Sequence, residues 1–290
     1  MTLEQLRIFV AVAERQHVTR AAHALNLTQS AVSAAVTALE GRHGVALFDR
    51  VGRNIVLNAA GAVFLDEARA VLARAAAAQS ALDDLAGLRR GRLSIHASQT
   101  IASYWLPPRL AAFHAVHPDI TLQIAIGNTA EVAQAVLAGA AELGLVEGEV
   151  DEPALQSQVI DHDRMVLVVG RDHPWAAKPP RKIALSDTAW VLREPGSGTR
   201  AAFEAALSAQ ALSLADLSIA MILPGNEAVS SAVMAGAGAT VLGESAAAAG
   251  LLSGALVEIP FDLPARAFHL LRHKQRYRSK VGEAFLAAKH

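Results

Sequence analysis

Apolar residues recur at helical spacing up to the stretch Gly87–Gly91, and beyond it strand-like runs alternate with helical ones, so one continuous fold does not suit the whole chain. Upstream, Leu3, Leu6, Phe9, Val10 and Ala13 predict a first helix with one buried face. Thr19 is a candidate N-cap for a helix through Leu25, Asn26 closes it, and Thr28 caps a further helix running to about Glu40. A short segment around Asp49 to Leu57 follows, with turn chemistry at Gly52-Arg53-Asn54, and residues 59–88 read as one long Ala-rich helix. Downstream, apolar runs at Leu93–Ala97, Ile120–Ile126, Leu143–Val146, Met165–Val169, Trp190–Leu192, Ile219–Leu223, Thr240–Leu242, Leu256–Ile259 and Phe268–Leu271 predict strands. Helices fit near 103–116, 129–138, 199–210, 226–235 and 277–288. This alternation predicts an α/β architecture with mostly parallel sheets, and nearly 200 residues suit two lobes with a ligand between them.

The 290 residues, 52% of them hydrophobic, fit two or three domains. Cysteine is absent, which excludes disulfides, zinc–thiolate sites and thiol catalysis. The first helix carries Glu4, Arg7 and Glu14 where a signal peptide needs an uninterrupted apolar stretch. No charge-free run is long enough to span a membrane, so the expectation is a soluble, cytoplasmic protein with no membrane partner. The net charge of −1 argues by itself against a nucleic-acid partner. Its distribution is more useful: residues 1–92 carry 11 Lys/Arg against 8 Asp/Glu, residues 93–290 carry 15 against 19.

In the long helix, Phe64, Ala68, Val71, Ala75, Ala78, Leu82 and Leu85 alternate spacings of four and three, the seam by which two helices pair. The alternative is an Ala-rich helix packed on its own domain. The segment Arg20–Glu40 divides its residues more sharply. Ala21, Ala22, Leu25 and Leu27 are small or apolar where two helices would cross, and Val32, Val36 and Leu39 form the buried stripe of the second helix. Gln29, Ser30, Ser33 and Thr37 fall on its other side. A helix that enters the major groove needs this division of one apolar face and short polar side chains, although a helical hairpin with a solvated face has it too.

The stretch AAHALNLTQSAVSAAVTALEGRHGVALFDRVGRNIVLNAAG resembles the LysR family of bacterial regulators, through the helix pair, Leu47-Phe48-Asp49-Arg50, the Gly52-Arg53 turn and the Leu57 to Gly61 entry into the long helix. The resemblance implies a winged helix-turn-helix. Its second helix would place Gln29, Ser30, Ser33 and Thr37 on bases or phosphates, and its wing would place Arg50 and Arg53 on the backbone of double-stranded promoter DNA. Ala34 stands where many members have a polar residue, and Asn58 replaces a common Thr while keeping the ability to cap. The family also implies a homodimer or homotetramer and RNA polymerase as a further partner.

Three strand-to-helix turns in the second half carry hydroxyls and amides: Ser98-Gln99-Thr100, Gly127-Asn128-Thr129, and Arg193-Glu194-Pro195-Gly196-Ser197-Gly198-Thr199-Arg200. Each alone is an ordinary capped helix, with Thr100 the expected cap of the first. Together, at carboxyl ends of strands, they suit a small anion bound by neutral donors. Glu147, in Glu147-Gly148-Glu149, is expected to help line the cleft. The candidate effector residues are therefore Ser98, Gln99, Thr100, Thr129, Glu147, Arg193, Ser197 and Thr199, with Arg200 a further source of charge. This half resembles the family's effector domain, which implies a periplasmic-binding-protein-like fold. ASQTIASYWLP and LREPGSGTR look most like the branch of sulfur-assimilation and sulfite-reduction regulators, implying a sulfur oxyanion or a small carboxylate as effector.

Other chemistry is weaker. The histidines form no metal-ligand pattern, including His114, His117 and the Asp161-His162-Asp163 run, so no metal or cofactor is expected. Ser197 lacks a G-x-S-x-G elbow and an assigned base, so no catalytic residue is expected either. The fold class is thus multi-domain: an all-α winged helix-turn-helix at 1–58, a linker and dimerisation helix at 59–91, and an α/β two-lobed effector domain at 92–290. One lobe is expected at about 92–163 with 267–290, the other at about 164–266. Two rivals remain at this point: a solute-binding or enzymatic α/β protein with an incidental helical N-terminus, and an architectural DNA binder with a vestigial sensor.

Overall fold

The computed structural model describes residues 1–290 apart from 52–53, 86–90, 181–182 and 289–290. Two compact units divide close to residue 86. The first opens with α1 (Leu3–Arg15), capped by Thr2 and Gln5 in a reciprocal capping box, with Leu6, Phe9, Val12 and Ala13 buried. Helix α2 (Val18–Leu25) starts two residues earlier than a Thr19 cap allows. Its cap is His17, whose Nδ1 accepts from the Arg20 N–H, because Gln16 ends α1 in the left-handed region and leaves His17 extended. Asn26 closes α2, also left-handed, and Thr28 Oγ1 accepts from the Ala31 N–H to start α3 (Gln29–His43). Helix α3 passes Glu40 and Gly41 and ends at Gly44, whose φ of 67° a side chain would resist.

The β structure of this unit is an antiparallel hairpin, β1 (Phe48–Val51) and β2 (Asn54–Leu57). Glu40 ties it to α3 by accepting from the N–H groups of Leu47 and Phe48. Helix α4 (Ala59–Leu85) follows, with Asn58 Oδ1 accepting from the Gly61 N–H. A Cβ at Gly61 would run into the Leu47 carbonyl, so the hairpin and α4 approach through a bare backbone. Phe64, Leu65, Ala68 and Leu72 of α4 pack against Leu6, Phe9 and Ala13 of α1, with the Phe9 and Phe64 rings 4.8 Å apart. The seven-residue seam therefore divides. Phe64 and Ala68 serve the core of this unit, whereas Val71 and Leu82 stay exposed, 41% and 62%. The side chain of Leu85 and residues 86–88 lie outside the described residues.

The second unit runs β3 (Gly91–Ser98), α5 (Leu106–Val116), β4 (Ile120–Gly127), α6 (Thr129–Ala138), β5 (Leu143–Glu147) and β6 (Leu155–Asp163). It continues with β7 (Met165–Gly170), α7 (Pro174–Ala177), β8 (Ala189–Arg193), α8 (Gly198–Ser208), β9 (Ser218–Leu223), α9 (Asn226–Met234), β10 (Ala239–Gly243), α10 (Glu244–Leu252) and β11 (Leu256–Ile259), and ends with β12 (Arg266–His273) and α11 (Lys280–Ala287). One sheet has the order β4-β3-β5-β12-β6, the other β11-β7-β10-β8-β9. The chain thus builds most of one lobe, crosses at Asp163–Met165, builds the second, and returns through residues 260–265 to insert β12 between β5 and β6.

The expectation of mostly parallel sheets is half right. In each sheet four strands share one direction and a single reversed strand, β12 in the first and β7 in the second, makes the antiparallel pairings with both of its neighbours, because each of these two strands follows a crossing between the lobes. Strands β5, β7 and β10 are buried throughout, as continuous apolar runs must be when helices cover both faces. Phe113 of α5 and Phe285 of α11 cover one face of the first sheet, and Val132 and Val136 of α6 the other. Phe203 of α8 and Val229 and Val233 of α9 cover opposite faces of the second.

Candidate functional site

Two surfaces carry the candidate residues. In the first unit, α3 holds Val32 and Leu39 in the core, and Gln29, Ser30, Ser33 and Thr37 are exposed on its outer side. The Thr28 cap leaves the start of α3 open to solvent. Arg50 is exposed on β1, and Arg53 lies outside the described residues. Ala34 is exposed and adds no polar group.

In the second unit, the ends of β3 and β8 and the two crossings converge. Thr100 follows β3 in a helical conformation, and a turn of π-helix, Ile101–Trp105, leads into α5. Its hydroxyl does not cap that turn, contrary to expectation. With Thr100 already helical, its oxygen points elsewhere: it accepts from Asn226 Nδ2 at 3.0 Å and from Arg266 Nη2 at 3.2 Å. Thr199, in the first turn of α8, accepts from Arg266 Nη1 at 2.8 Å. One guanidinium therefore gathers hydroxyls from both lobes. Arg266 also meets Asp163 at 2.8 Å and Glu147 at 3.8 Å, with all three side chains nearly inaccessible to solvent. Arg266 and Asp163 begin and end the two crossings, and they face each other in the β12–β6 register. Gly243 packs on this pair so closely that a Cβ would overlap both.

A second set of contacts lies beside Thr100. Gln99 accepts from the Asn226 N–H at 2.8 Å and donates to Glu227 at 2.7 Å. Tyr104 donates to Glu227 as well, and burial together with that carboxylate pushes its hydroxyl up to about 12, so it remains a donor. Arg193 is buried and is consumed by Glu194 through two hydrogen bonds and by Asn226. Burial pushes the Glu194 carboxyl up, but the Arg193 contacts outweigh it and hold it below the usual range. Arg200 turns to Glu204 at 2.7 Å. Ser197 is the buried residue before α8 and makes no side-chain cap. Thr129 opens α6, where Asn128 and Glu131 form the cap, and its hydroxyl lies 3.4 Å from the Glu147 carbonyl. Ser98, 2% exposed, has no hydrogen-bond partner for its hydroxyl.

The structure thus brings Ser98, Gln99, Thr100, Thr199 and Glu147 to one place and turns Arg193 and Arg200 onto carboxylates. Asn226, Glu227 and Arg266 complete the cluster and were not singled out in sequence, and Asp163 was noted only beside His162 and not as an effector residue. Arg266 is the most consequential of these. The available signal was a lone arginine in Leu263-Pro264-Ala265-Arg266, immediately before an apolar strand that would bury it. Next to Arg266 opens a cleft of about 720 Å3, walled by α6 and the end of β5 on one side and α8 on the other.

Two family models match this chain. The bacterial regulatory helix-turn-helix protein model of the LysR family covers residues 3–62, and the LysR substrate binding domain model covers residues 86–288. An uncharacterized HTH-type transcriptional regulator, YeiE of Escherichia coli K12, is 34% identical over 99% of this chain and 96% of its own. The HTH-type transcriptional regulator CysL of Bacillus subtilis is 32% identical over 84% and 82%. Among solved structures, full-length CbnR in complex with its target DNA aligns over 99% of this chain and 98% of its own, with a TM-score of 0.70 and 23% identity. The regulatory domain of Synechocystis CcmR, in complex with 2-PG, aligns over 68% and 94%, with a TM-score of 0.61 and 25% identity. With both halves of the chain matched in order and a relative sharing a third of its residues along its whole length, the protein belongs to the LysR family: it is a DNA-binding transcriptional regulator, not an enzyme, with an N-terminal helix-turn-helix and a two-lobed effector-binding domain.

Proposed function

We propose that residues 1–58 read promoter DNA with the outer face of α3, that residues 59–91 pair two copies of the chain, and that residues 92–290 sense a small anion between lobes formed by about 92–163 with 267–290 and by about 164–266. The observation that carries the DNA reading is the exposed polar row Gln29, Ser30, Ser33 and Thr37, backed by a buried apolar stripe. Short side chains of this kind reach base edges and phosphates, while Arg50 and Arg53 hold the backbone. The bared seam of α4, with Val71 and Leu82 toward solvent, supports a homodimer or homotetramer. DNA as partner puts the protein in the cytoplasm, with RNA polymerase beside it at the promoter.

For the effector, the buried hydroxyls of Ser98, Thr100 and Thr199 are the neutral donors of this reading, with Gln99 and Arg193 as further contacts, while Thr129, Glu147 and Ser197 line the cleft beside Arg266. Thr100 and Thr199 accept from Arg266, which leaves each O–H free to donate to a ligand. The segments ASQTIASYWLP and LREPGSGTR and the likeness to CysL favour the sulfur-assimilation branch, with a sulfur oxyanion or a small carboxylate as effector.

The test selects binding sites from randomised duplex DNA with the full chain and measures affinity at several salt concentrations. Ser33→Ala and Gln29→Ala are expected to alter the selected sequence. Arg50→Ala is expected to weaken all sequences alike and to flatten the salt slope by about one. Unchanged preference in the α3 variants removes α3 from the groove.

A further inference from the structure

Glu227 stands in the first turn of α9, where the free N–H groups of its own helix already favour a carboxylate. It reaches across to the other lobe instead. Its Oε2 accepts from Gln99 Nε2 at 2.7 Å, and its Oε1 accepts from the Tyr104 hydroxyl at 3.0 Å. Two neutral donors, one for each oxygen, thus hold a planar carboxylate where β3 passes into α5.

The aim of these donors is fixed by other groups. Gln99 Oε1 accepts from the Asn226 N–H at 2.8 Å, which turns the Nε2 end of the amide toward Glu227. Asn226 is itself held, 1% exposed, accepting from Arg193 and donating to Thr100. Tyr104 belongs to the π-helical turn Ile101–Trp105, and burial is the larger reason that it keeps its proton as a donor. Glu227, by contrast, is exposed, so its side chain can swing into water without breaking any of these supporting bonds.

Charge narrows what else these donors would hold. Arg193 is committed to Glu194 and Asn226, and Arg266 to Asp163 and Glu147. A dianion on Gln99 and Tyr104 would find hydrogen bonds but no uncommitted guanidinium in this network. A monoanion costs less to desolvate, and a carboxylate presents the same two oxygens that the donors already grip.

We propose that Gln99 and Tyr104 form a carboxylate clamp, that Glu227 fills it as an internal ligand, and that the effector is a small monocarboxylate which takes Glu227's place. This rests on the reading of an anion between the lobes, with Gln99 among its contacts, and selects the carboxylate over the sulfur oxyanion. Glu227 makes the site self-inhibited, because a ligand binds only the fraction of molecules in which Glu227 has let go. Binding then removes two of the hydrogen bonds that join the lobes, so occupancy is converted into a change in how the lobes are held.

The experiment measures calorimetric affinities and thermal shifts of the full-length protein with acetate, pyruvate, lactate, benzoate and sulfate. At least one monocarboxylate is expected to bind, and more tightly than sulfate. Glu227→Ala is expected to tighten it about tenfold, the factor for a clamp that is open one-tenth of the time. Glu227→Gln, which keeps the shape and drops the charge, is expected to move the same way by less. Asp172→Asn removes an exposed carboxylate beyond β7 and is expected to leave the affinity unchanged. Adding Tyr104→Phe to Glu227→Ala is expected to take back most of the gain. If a carboxylate binds but Glu227→Ala does not tighten it, or Asp172→Asn tightens it as much, the internal ligand is wrong while the anion reading stands. Sulfate binding more tightly than every carboxylate overturns the choice of ligand class. If no probe binds either the wild type or Glu227→Ala, both readings are overturned.

Discussion

Arg266 shows how much one side chain can hold at this site. It bridges hydroxyls from two lobes and an aspartate from the other crossing while itself buried. Removing one partner of such a pair leaves an uncompensated charge, so Arg266→Met is expected to cost about 3–5 kcal/mol in urea melts. Adding Asp163→Asn should restore part of that loss, and an additive double mutant would mean that the pair is not coupled. Two histidines make a different point. Burial holds His173 and His269 below the ordinary imidazole value of about 6.5. The folded state then binds fewer protons than the unfolded chain, so their contribution is complete above about pH 6.5 and declines as pH falls below it. Melting temperature is expected to drop between pH 7.5 and 5.5, with a shallower drop in His269→Gln. An unaltered acid slope would remove His269 from the account.

At the scale of elements, the same local pattern produced different outcomes. Helix α3 follows its sequence closely because its stripe, Val32 and Leu39, is buried against the neighbouring helices and the caps Thr28 and Gly44 mark its ends. Helix α4 has too many small residues for its pattern to name one partner. Its first turns fill the core beneath α1, and Val71, Ala78 and Leu82 of the seam are left exposed. Val71→Asp with Leu82→Asp puts charge into a paired seam and is expected to give monomers in sedimentation velocity without lowering the melting temperature of the monomeric unit. An unchanged oligomer would place the interface elsewhere. Gly61 is the opposite case, a single position with no freedom. Gly61→Ala forces the Leu47 carbonyl away and is expected to destabilise the hairpin–α4 junction by about 1–3 kcal/mol, read from thermal melts.

Across the whole chain, local chemistry was legible wherever residues form their own partners. The strand–helix alternation, the helix pair with its Thr28 and Asn26 signals, and the hydroxyl-bearing turns at Thr100 and Thr199 are all short-range patterns. The elements that escaped notice are those whose pattern depends on distant neighbours. Strand β6 is an edge strand rich in Gln, Ser, His and Asp, and is a strand because β12 inserts beside it. Helix α10 is a run of alanines with little periodicity of its own. The antiparallel joins follow from where the chain crosses between lobes, which no window of residues encodes. The convergence of Arg266, Asp163, Thr100, Thr199 and Glu147 is of the same kind. These positions lie up to 166 residues apart and meet because two sheets share two crossings. Hydrophobic period and capping act over a few bonds and can be read in order along the chain. Burial of a charge depends on what else arrives at the same point, and that requires the folded arrangement.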